Sequence, residues 1–154
     1  MGSKAKRKSK PKPAGKPKGQ PKGQPKLTAK SLQDKVAKIC LALPEAARRD
    51  TGHHTDFRVR NKVFAYFLND HHGDGIISVC CKAALGENVD RASREPKRFY
   101  LPAYIGPRGW FGLRLDGPAV DWSEVKNLVE LSYRLSAPKT LLGKLDAADA
   151  PVLK

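Results

Sequence analysis

No aspartate or glutamate occurs before Asp34, and this absence divides the chain into two chemically different parts. Residues 1–30 hold ten Lys, one Arg, five Pro and four Gly, a local charge of +11. Between Met1 and Leu27 the only apolar side chains besides proline are those of Ala5 and Ala14. Such a stretch buries too little surface to offset the entropy lost on ordering, so residues 1–26 are expected to be a disordered basic tail. Pro13, Pro17, Pro21 and Pro25 recur every four residues in a PKGQ-like repeat, which favours extended, polyproline-like conformers displaying lysines all round. At about 3.1 Å per residue, 25 such residues reach roughly 80 Å.

Of the net +15, the remaining 124 residues contribute only +4, from 19 basic and 15 acidic groups. That length suits one domain with one core and excludes a large multidomain enzyme. The longest apolar run, Val63–Leu68, is six residues, far short of the roughly 18 to 20 that span a bilayer. The basic N-terminus lacks a following apolar region, and Lys6 stands where myristoylation after Gly2 wants Ser or Thr. Three sparse cysteines, Cys40, Cys80 and Cys81, suit a reducing compartment, so a cytoplasmic location is expected, nucleoid-associated if the chain binds DNA.

Thr28 is an N-cap candidate for a helix bearing Leu32, Val36, Ile39, Cys40 and Leu43 on one face and ending before Pro44. The segment EAARRD reads as a charged loop. Period-two alternation then predicts a β-hairpin from Phe57 and Val59, through a turn at Arg60-Asn61-Lys62, to Val63–Leu68. Ile76–Cys81 forms a third strand, with Cys80 and Cys81 on opposite faces, one buried and one exposed. Residues 83–96 suggest a short helix. Phe99–Leu101 and Trp110–Leu115 read as two more strands. Asp121 with Glu124 forms a capping box that opens a helix carrying Val125, Leu128, Val129, Leu131 and Leu135 and stopping before Pro138. The expected architecture is a two-layer α+β domain over residues 27–139, about five antiparallel strands with helices on one face. Residues 140–154 are left as a C-terminal extension, a frayed helix or tail.

Leu41-Ala-Leu-Pro-Glu45, Gly52-His53, Phe57-Arg-Val59, Lys62-Val-Phe-Ala65, Trp110 and Ser132-Tyr133-Arg134 occur in the order of the MmcQ/YjbR family, which residues 28–139 resemble. His54 departs from the family's Gly-His-Pro, Lys82 matches a lysine expected after the third strand, and the adjacent Cys80-Cys81 is unusual. The resemblance implies a CyaY-like, double-wing fold with DNA binding proposed by structural analogy, and implies no catalytic residue or cofactor.

The chemistry read from the residues is sparse. His53-His54 and His71-His72 lack zinc-ligand spacing and read as turn-located pairs. Cys40 reads as core, and no P-loop, G-x-G-x-x-G or G-x-S-x-G occurs. No catalytic residue, metal or cofactor is expected, and an enzyme is the weakest of three readings. The basic residues carry more. Arg58, Arg60 and Lys62 are expected on one face of the first hairpin, opposite Phe57, Val59 and Val63, forming a cationic wing. Arg94, Lys97, Arg98 and Arg108 add basic sites around the last two strands, and Tyr100, Tyr104 and Trp110 are candidate stacking residues. Lys4, Lys6, Arg7, Lys8, Lys10, Lys12, Lys16, Lys18, Lys22 and Lys26 supply sequence-independent phosphate contacts from the tail. The expected function is therefore non-enzymatic binding of nucleic acid, duplex DNA first. Anionic lipid is a weaker partner for the tail. The alternative is a protein- or small-ligand-binding module whose tail serves localisation or solubility.

Overall fold

A computed structural model describes residues 28–149 apart from 53 and 118. The chain runs α1 (Ala29–Leu41), β1 (Ala47–Asp50), β2 (His54–Val59), β3 (Lys62–Asn69), β4 (Ile77–Lys82), α2 (Glu87–Arg94), β5 (Phe99–Tyr100), β6 (Trp110–Arg114), α3 (Trp122–Ser136) and α4 (Lys139–Asp149). The strands form one antiparallel sheet in the order β1-β2-β3-β4-β6-β5. The α+β, two-layer expectation holds, with six strands in place of five. The extra strand is β1, the segment read as a charged loop: all four of its residues are exposed, so no apolar alternation marks it. As an edge strand it is held by backbone pairing with β2.

Both helix starts form as their sequences predict. The Thr28 hydroxyl accepts from the Ser31 N–H at 3.0 Å, and the Asp121 carboxylate accepts from Ser123 and Glu124 N–H at 3.0 and 3.2 Å. Glu124 does not close the box back onto the cap; it receives Arg98 instead. One main core lies between the sheet and the helices, built from Leu32, Val36 and Cys40 of α1, Phe57, Phe64, Phe67, Val79, Cys81, Phe111 and Leu113 of the sheet, and Val125, Val129 and Tyr133 of α3. Leu141 and Leu145 of α4 are buried in it, so the segment read as a loose extension completes this core.

The opposite face of the sheet carries a smaller cluster of Leu68, Cys80 and Trp110, against which Val63, Tyr66 and Ile105 pack. Two covered faces explain the cysteines. Cys81 points into the main core and Cys80 into the smaller cluster, so both are buried, in place of the expected one buried and one exposed.

Candidate nucleic-acid interface

The β2–β3 hairpin turns through two residues, Arg60 and Asn61, at φ 48° and 71°, so that Val59 pairs with Lys62 and Arg58 with Val63. Directly paired residues share a face. Lys62 therefore lies on the side of Val59, and Val63 on the side of Arg58, where it joins the smaller cluster. The expected wing of Arg58, Arg60 and Lys62 on one face does not exist, because a two-residue turn reverses the odd–even alternation that a longer connection would carry through. Arg60 binds Glu45 through two contacts at 2.6 and 3.0 Å, which lowers the Glu45 carboxyl pKa and raises that of Arg60.

The other predicted cations are similarly divided. Arg94 pairs with Asp90, and Arg98 with Glu95 and Glu124. Lys62, Lys97 and Arg108 are exposed and make no ion pair among the described residues. Lys97, Arg98 and Arg114 border a cleft of about 420 Å³ with Asp116, Asp121 and Glu124, where the acids neutralise both arginines. The ten tail cations from Lys4 to Lys26 lie outside the described residues, as does His53.

What the fold assembles is a different basic surface, the sheet face away from the helices. Strand register places Arg49, Asp56, Tyr66, Cys80, Gly112 and Tyr100 in one row across all six strands. On one side of that row stand His54, Leu68, Ser78 and Arg114; on the other, Arg58, Val63, Lys82 and Trp110. Among the described residues no α-helix contributes to the cluster on this face.

Asp56 is its organising group. Its side chain is 1% exposed, and burying a carboxylate is costly unless it is paired. Arg49 donates Nε and Nη2 to Oδ2 at 3.3 and 3.0 Å, Arg58 donates Nε to Oδ1 at 2.9 Å, and His54 Nε2 lies 3.9 Å away. The arginines remain 58% and 30% exposed, so the carboxylate holds two guanidinium groups at the surface by their inner edges. Tyr66 stands beside Asp56, with the His54 ring edge-on at 5.2 Å and the Trp110 ring tilted at 5.2 Å. His71 meets His54 at 5.7 Å, bringing together one histidine of each sequence pair. Among the described residues no group of three or more His, Cys, Asp or Glu is placed to hold a metal ion.

The predicted stacking residues separate. Trp110 is 7% exposed and backs Tyr66; Tyr104 is 82% exposed in the loop after β5. The Tyr100 ring fills the space beside Gly112, and its hydroxyl shares a 2.7 Å hydrogen bond with that of Ser78. Sequence reasoning missed Arg49, Asp56 and Tyr66. The polar alternation His54-x-Asp56-x-Arg58 was the available signal for the second; Tyr66, inside the run Val63–Leu68, had none, because that strand is covered on both faces. The thiols offer no nucleophile at neutral pH: burial raises all three, Cys80 to about 12.

Several residues of the family-like series are structural. Tyr133 donates its hydroxyl to the Pro44 carbonyl at 2.6 Å, tying α3 to the segment after α1.

Comparison with known proteins agrees with this fold. A family model described as YjbR matches residues 41–135. A crystal structure of a Deinococcus radiodurans protein, described by its DUF419 domain, superposes with a TM-score of 0.55 at 18% identity, over 67% of this chain and 76% of that one. A Pseudomonas syringae protein from structural genomics gives 0.51 at 17% identity, over 71% of this chain and 99% of that one. At such identities these structures speak for the fold alone. No curated protein matches the sequence.

Proposed function

The chain belongs to the YjbR family, and on that footing we propose that it is a nucleic-acid-binding protein. In this reading the acid-free N-terminal segment supplies sequence-independent affinity for phosphate, and the sheet face carrying Arg49, Arg58 and Lys82 is the docking surface of the domain. One observation carries the reading. The basic segment joins the domain at Thr28, and the start of α1 borders the same small cleft as Gly52 and His54, at the end of the sheet where the basic face begins. In this reading the segment brings phosphates to the end of the sheet that carries His54. Arg60, Arg94 and Arg98 are secondary, because strand register does not place them on this face.

The test is a salt titration of binding by the full chain and by a chain lacking residues 2–26. If six tail lysines each meet a phosphate on duplex DNA, they contribute about −5 to the log–log slope, so the deletion flattens it by that amount and weakens binding strongly. Unchanged affinity and slope on deletion would remove the tail from the function.

A further inference from the structure

We infer that the basic sheet face takes single-stranded nucleic acid, with a phosphate on the Arg49–Arg58 pair and the adjoining base stacked on Tyr66. This deepens the nucleic-acid reading above and rests on it.

Three observations combine. First, Arg49 and Arg58 are clamped through their Nε edges on the two oxygens of one buried carboxylate. Among the described residues Nη1 of Arg49 and both Nη groups of Arg58 have no partner, so several N–H donors face outward from guanidinium groups already oriented. A phosphate oxygen is the acceptor that suits such a fork, and little side-chain entropy is left to lose on binding. Second, Tyr66 is the direct neighbour of Asp56 across the β2–β3 ladder, so an aromatic ring adjoins the cationic pair. It is half-buried and braced by His54 and Trp110, both at 5.2 Å between ring centroids. A braced ring beside an anion site fits one nucleotide unit, base and phosphate together.

Third, the shape of the face disfavours a duplex. The row from Arg49 to Tyr100 crosses six strands. At about 4.8 Å per strand that row is roughly 24 Å wide, twice the ~12 Å major groove. Among the described residues no α-helix joins the cluster on this face to enter a groove instead, and base pairing hides the base surface that Tyr66 would stack on. An unpaired strand lying on the sheet satisfies both the arginines and the ring.

The test measures binding of the full chain to single-stranded DNA, single-stranded RNA and duplex DNA at one salt concentration, by fluorescence anisotropy. Variants are Tyr66→Leu, Tyr66→Phe and Arg49→Gln. Preference for a single strand over the duplex is expected, with DNA and RNA arms deciding which polymer. Tyr66→Leu should weaken single-strand binding about 5- to 150-fold and leave duplex binding unchanged, while Tyr66→Phe keeps wild-type affinity. Arg49→Gln, an exposed position that tests the site even if Tyr66→Leu misfolds, should reduce the single-strand salt slope by about 0.7. If the chain binds single strands and duplex equally, and neither Tyr66→Leu nor Arg49→Gln changes the ratio, the stacking site is overturned while the nucleic-acid reading stands. If the wild-type chain binds none of the three probes, both fall.

Discussion

Ser132 of α3 donates its hydroxyl to the carbonyl oxygen of Phe64 at 2.6 Å, reaching across 68 positions in sequence to a strand bulge. The β2–β3 register slips at this point, with Arg58 opposite Val63 but Phe57 opposite Ala65, so Phe64 is the surplus residue. The same hydroxyl accepts from the Lys82 N–H at 2.8 Å. One helix side chain thereby satisfies a carbonyl and an amide that would have continued the β3–β4 ladder beyond Ala65–Cys81. Ser132→Ala leaves both without a partner and should cost about 1–3 kcal/mol in denaturant unfolding. Unchanged stability would mean that the bulge closes by direct pairing of Phe64 with Lys82.

Gly112 is required by an aromatic ring. A Cβ at this position would lie 2.3 Å from Cε1 of Tyr100, which no side-chain shift of tenths of an ångström relieves. Gly112→Ala should destabilise the domain by about 1–3 kcal/mol through overpacking. In a Tyr100→Ala background the added methyl meets no ring, so its cost should largely disappear. Equal costs in both backgrounds, measured by urea denaturation, would point to the backbone and exonerate the ring.

Asp56 and Arg49 should respond unequally to substitution. Removing the buried carboxylate by Asp56→Asn leaves two guanidinium groups without their counter-charge. Because both arginines keep contact with water, the cost should be about 2 kcal/mol, below the roughly 3–5 of a fully buried pair. Arg49→Gln leaves Asp56 still paired to Arg58 and should cost no more than about 1 kcal/mol. Thermal and urea unfolding of the two variants decide the order.

The cysteines give a pH prediction. Burial raises Cys80 from its ordinary 9.0 to about 12, and raises Cys40 and Cys81 in the same direction. The folded state therefore retains protons that the unfolded chain releases above pH 9. Stability from this source is fully present below that pH and falls as pH climbs from 9 toward 12. In the native chain at pH 8 the three thiols should react with a disulfide reagent far more slowly than in guanidinium, where all three become available. A native thiol reacting at the denatured rate would show that its covering opens readily.

The hairpin shows where sequence reasoning stopped. Its strands were legible from alternation and its turn from Arg60-Asn61-Lys62, yet the face of every residue beyond the turn depends on whether two or three residues make it. Two do, and Lys62 and Val63 exchange sides. β1 was illegible for another reason: its four exposed residues carry no periodic signal, and only pairing with β2 makes them a strand. The last helix was visible as Leu141, Leu142 and Leu145, but Gly143 and the short length gave no means of telling a docked helix from a frayed one.

Local chemistry was enough for the two capped helices and the antiparallel α+β class, since capping and periodicity act within a few residues. The basic face needed the tertiary structure. Arg49, Asp56 and Tyr66 lie on three different strands, and their juxtaposition is a property of register. Register is decided by which apolar faces meet in the core, a contest among contacts far apart in sequence that no local pattern contains.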